Sequence, residues 1–202
     1  MAEDVEPNSN EPGSNERMAE AHEAGREAVD LSGDASPAEQ AYIHAMALRF
    51  PADPKGDRRQ AAEAYHDAMR EVVKSFPDDL DAATLFAESG MNLNRWGLWH
   101  LDGTPADGTE EIVATLESVI KRDPNHMGAI HYYIHSVEAS ASPERALAAA
   151  NRLAAMPLTA GHLVHMPAHV YIRTGDYAAA VKTNQRAAAA DRAYIKASGA
   201  QG

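Results

Sequence analysis

The chain has 202 residues, 45% of them hydrophobic and 24% charged, a balance suited to one globular domain or a short repeat array. Its net charge of -12 argues against nucleic acid and anionic lipid as partners, since both require a cationic surface. Without cysteine there can be no disulfide, thiolate nucleophile or cysteine-ligated metal.

Aromatic residues make up only 6% of the chain, alanine is abundant and β-branched runs are scarce, which favours helix over sheet. Residues 1–40 carry eleven Asp or Glu against Arg17 and Arg26, a balance of -9 that leaves -3 for the rest. The acidity is therefore a property of the N-terminal end, and a solubilising role explains it. No apolar run is long enough to span a membrane. The polar, acidic start is the opposite of a secretory signal, so the sequence as written is expected in the cytoplasm.

In chain order, residues 1–14 are rich in Pro, Asn, Ser and Glu and read as a disordered acidic segment. A helix follows from Ser14 to about Leu31. Gly33 then ends it and Pro37 sits in the first turn of the next, expected from Ala38 to Phe50. Pro51-Ala52-Asp53-Pro54-Lys55-Gly56 breaks again, and a long helix runs to about Phe76, where Pro77 stops it. Asp78 to Leu93 reads as another helix. A long loop, Trp99 to Gly108, comes next.

Beyond the loop the sequence repeats. Ile112, Ala146 and Ala180 are spaced by 34 residues, as are Leu116, Ala150 and Asn184, and Val119, Leu153 and Ala187. A period of 34 is that of the tetratricopeptide repeat. Arg173-Thr174-Gly175-Asp176-Tyr177, with Tyr171 and Ala168 before it, resembles the turn and packing positions of that family. The segments His131-Tyr132-Tyr133-Ile134-His135 and Gly161 to His169 are also similar to stretches of uncharacterised bacterial tetratricopeptide-repeat proteins longer than this chain. The resemblance implies an all-α solenoid of antiparallel helix pairs wound as a right-handed superhelix over residues 15–198. Its best-matching units are about 78–124, 126–157 and 160–192. It further implies a piece of a longer protein, with a protein or peptide partner in the concave groove and a last repeat open to pairing with a second copy.

Six of the ten histidines fall between residues 126 and 169. His131 and His165 are 34 apart, as are His135 and His169, and within each helix the two histidines are i and i+4 on one face. In the family's architecture these positions project into the groove. Mapping back across the long loop adds Glu88 beside His135 and Thr84 beside His131, with His162, Glu138 and Arg173 on nearby faces. Glu88, His131, His135, His165 and His169 then form a donor set for one divalent transition metal, Zn²⁺, Fe²⁺, Mn²⁺ or Cu²⁺. The competing reading is a polar groove for a peptide or small ligand, its histidines repeated by duplication of one ancestral unit. No motif assigns a reaction.

Pro167 leaves two alternatives open: a kinked helix that still lets the imidazoles converge, or a helix starting near Pro167 that leaves His162 and His165 on a loop. Trp96, Trp99 and His100 either fold over the groove as a lid or plug the loop onto the helical layer. His22, His44 and His66 lack matching neighbours and read as surface or satisfied interior residues.

Overall fold

The structure is a computed structural model that describes residues 14–199, so the acidic segment expected to be disordered lies, up to residue 13, outside the described residues. The described elements are helices and turns, with no strand among them. The chain divides into two compact units, residues 1–93 and 94–202.

The first unit holds α1 (Ser14–Leu31), α2 (Pro37–Leu48), α3 (Arg58–Ser75) and α4 (Leu80–Leu93), each packed on the next. Local chemistry sets their ends. Ser36 and Glu39 form a reciprocal capping box ahead of Pro37, and Asp57 accepts from the Gln60 amide to start α3. Asp79 accepts from the Ala82 amide at 2.9 Å, which delays α4 to Leu80 rather than Asp78. The second helix likewise stops at Leu48, two residues short of Phe50, with Arg49 as its C-cap. The core between these helices is Ala45, Tyr65, Met69, Val72, Ala82 and Phe86. The three histidines outside the repeat pattern are bonded here: His22 to the Phe50 carbonyl, His44 to the Gln40 carbonyl and His66 to the Ser89 hydroxyl.

The second unit holds α5 (Thr109–Arg122), α6 (Met127–Val137), α7 (Leu147–Ala155), α8 (Gly161–His165), α9 (Pro167–Arg173) and α10 (Tyr177–Ser198). Helix α5 pairs with α6, α6 with α7, and α8 and α9 both pack on α10. The positions spaced by 34 are where this unit is packed. Ile112, Ala146 and Ala180 are buried, and so are Val119, Leu153 and Ala187. Small residues at the later positions let the helices approach closely. Asp123, His126 and Asp176 provide the turn and cap bonds between them.

The long loop is ordered by its own polar groups. Gly103 and Gly108 take φ of 83° and 82°, the left-handed conformation that Asp-Gly turns need, and Asp102 accepts from the Thr104 amide and hydroxyl. The Thr109 hydroxyl donates to the Leu98 carbonyl, and the Trp99 indole N–H donates to the Ser136 carbonyl on α6 at 2.7 Å. Trp99 is thus pinned to the helical layer. Trp96, by contrast, is 95% exposed with φ of 57°.

Candidate metal centre

Within the second unit, α6, α8 and α9 bring five imidazoles into one closed circuit. Ring centroids are 5.0 Å apart for His131 and His135, 5.2 Å for His135 and His169, and 4.6 Å for His169 and His165. The circuit closes through His165 and His162 at 6.3 Å and His162 and His131 at 5.1 Å.

The break at Pro167 is what admits His162 and His165. Met166 stays helical at φ -47°, ψ -42°, linking α8 to α9, so the chain kinks instead of opening into a loop. His165 and His169 remain one turn apart, with their Nε2 atoms 2.9 Å from each other. His162 reaches back to α6, where its Nε2 lies 3.1 Å from that of His131.

The carboxylate beside these rings is Glu138, the C-cap of α6. Its Oε1 lies 2.9 Å from His135 Nδ1 and its Oε2 lies 2.6 Å from His169 Nδ1. The two histidines related by the repeat therefore meet one shared carboxylate. On the far side, His165 Nδ1 lies 2.5 Å from Asn184 Oδ1 on α10. Asn184 occupies the repeat position filled by Leu116 and Ala150. A polar residue at a core-equivalent position was the sequence signal for its role.

Two triads in this cluster offer donor atoms within 4.8 Å of one another: His131, His135 and His162, and His135, Glu138 and His169. The other expected groove residues are placed differently. Thr84 and Glu88 belong to the first unit, where the Thr84 hydroxyl donates to the Leu80 carbonyl. Arg49 and Asn92 both donate to Glu88 Oε1. Arg173 ends α9 and is exposed, as is His100 in the loop.

Electrostatics favour a neutral His131 and an ionised Glu138. Burial, then the neighbouring His135, His162 and His169, push the His131 pKa down to about 3. Burial alone would raise the Glu138 carboxyl, but hydrogen bonds from His135 and His169 outweigh it and hold it at about 2. Both folded-state values lie below the unfolded ones. Each group's stabilisation is therefore complete above its unfolded pKa and is lost as pH falls toward the folded value. For His131 that window runs from about 6.5 down to about 3, and for Glu138 from about 4.5 down to about 2. Metal-free protein is expected to lose ~3 kcal/mol between pH 6.5 and pH 4 through His131 alone. Thermal melts in chelator across that range check this, and a stability maximum near pH 5 would contradict it.

Beside His162 and His165 opens a cleft of about 430 Å³, also lined by Gly161, Asn184, Ala187, Ala188 and Asp191. The Asp191 carboxylate lies against Gly161, where a Cβ would make it move aside. Solvent and small ligands thus reach the edge of the cluster.

No family model matches this chain, and no curated protein matches it. A solved structure, that of "MamA MSR-1 C2", a tetratricopeptide-repeat protein, is similar to it with a TM-score of 0.56 and 15% sequence identity. The match covers 89% of this chain and 95% of that one. At that identity the likeness shows the fold, an all-α solenoid of tetratricopeptide type, and the fold only.

Proposed function

We propose that the chain is a tetratricopeptide-like scaffold whose second unit binds a divalent transition metal through its histidine cluster. One observation carries this reading: two triads, His131–His135–His162 and His135–Glu138–His169, each bring three donor atoms within 4.8 Å of one another. Close contacts also link Asn184 to His165, His165 to His169, His169 to Glu138, and Glu138 to His135. A bound cation can replace the protons in these contacts without charging a ring, and imidazole with carboxylate suits Zn²⁺, Fe²⁺, Mn²⁺ or Cu²⁺.

The fold likeness supports a second reading, a peptide- or protein-binding groove in which the cluster is held by hydrogen bonds alone. A groove with no metal and a pairing of the last repeat with a second copy belong to that reading. Elemental analysis of protein purified without an affinity tag separates the two. Metal binding predicts about one ion per chain and a melting temperature lowered by chelator. At a thousandfold excess of metal over its dissociation constant, the stabilisation is about 4 kcal/mol. Metal-free protein with a chelator-insensitive melt would leave the groove reading standing.

A further inference from the structure

We infer that the ion sits in the His135–Glu138–His169 triad, bound through both Nδ1 atoms, with coordination positions left open to a small exogenous ligand. This rests on the metal-binding reading above and names the seat and class of that site.

Three places in the cluster compete for the ion. The His131–His135–His162 triad supplies only neutral nitrogens. The facing Nε2 atoms of His165 and His169 supply two, again neutral. The third place alone includes an anion, Glu138, and a carboxylate lowers the cost of holding a dication in a half-buried site.

Proton placement is compatible with the same seat. A cation among His135 Nδ1, Glu138 and His169 Nδ1 replaces the two protons at those contacts. His169 then carries its proton on Nε2 and donates to His165 Nε2, 2.9 Å away. His165 keeps its proton on Nδ1 and donates to Asn184. All four contacts are satisfied with neutral rings. His165 and Asn184 become the hydrogen-bond support that orients a ligating imidazole.

Two histidines and one carboxylate leave a metal incompletely coordinated, which is the pattern of exchangeable rather than purely structural sites. An ion held by these three side chains alone keeps positions for water or a small anion. The side chains of His135, Glu138 and His169 retain some exposure, so such a ligand has a route in.

The test uses Co²⁺ as the metal and azide as the exogenous ligand, on the whole chain without a tag. Replacing His169 (H169A) should weaken Co²⁺ binding roughly a hundredfold or more, and replacing His162 (H162A) should change it less than about tenfold. Both side chains are half-buried, and H169Q serves if H169A fails to fold. Azide should shift the Co²⁺ absorption spectrum saturably in wild type and in H162A. The reverse ranking, or equal loss in both variants, would place the ion elsewhere and overturn the assignment. A spectrum indifferent to azide would overturn the open positions. Wild-type protein that takes up no Co²⁺, Zn²⁺, Mn²⁺, Fe²⁺ or Cu²⁺ would instead remove the metal-binding reading itself.

Discussion

Replacing Glu138 with glutamine (E138Q) is expected to lower affinity for a divalent metal by roughly a hundredfold or more while the helices stay folded. The substitution keeps size and shape but removes the one negative charge at the cluster. It also replaces an oxygen that faces a histidine Nδ1 with an amide NH₂. Both Nδ1 contacts, at 2.9 Å and 2.6 Å, are matched to a carboxylate and only one can be matched to the amide oxygen. If the cluster binds no metal, the same change weakens two hydrogen bonds to a charged carboxylate. The effect on stability is then about 1.5–3 kcal/mol, with no metal affinity to lose. Isothermal titration with Zn²⁺ or Mn²⁺ reads the first outcome, and a melt in chelator reads the second. Affinity unchanged in E138Q would remove the carboxylate from the site.

The largest stability effect is expected at Leu116. This residue is fully buried on α5 at a repeat position, with Ile112 and Val119 buried a turn to either side. Truncation to alanine (L116A) removes its transfer free energy and leaves a cavity that rigid neighbouring helices close only in part. A loss of about 2–5 kcal/mol follows, which lowers the melting temperature by roughly 5–15 °C in a chain of this size. A loss below about 1 kcal/mol would mean that α5 is not packed as described. The equivalent position in the next unit already holds alanine (Ala150), so the repeat does not demand bulk at every copy.

The sequence revealed the fold through its period, because positions spaced by 34 are those where one helix must fit against its neighbour. Those positions are buried as that logic requires, except Asn184, which is exposed. The partnership of His135 and His169 was legible for the same reason, since equivalent places on successive hairpins face one wall. What the period cannot convey is the identity of the group standing between them. Glu138 lies outside the repeat register, three residues after His135, where the helix ends and a side chain can turn back to its own helix. His162 was legible only as a neighbour, because its reach to His131 depends on the bend at Met166 and Pro167. A proline reports that a helix is disturbed, while the direction of the bend is set by tertiary packing.

Asn184 ties His165, at the edge of the cluster, to α10, the longest helix described, much of whose outer face is solvent-exposed. Helices with few buried residues open more readily than core ones, at a fraction of the global unfolding free energy, and in α10 only Ala180, Thr183 and Ala187 are buried. Each such excursion of α10 unlatches His165 and, through it, loosens His169. Amide exchange along α10 should therefore slow when the cluster is loaded, so that a helix contributing no ligand becomes the gauge of occupancy.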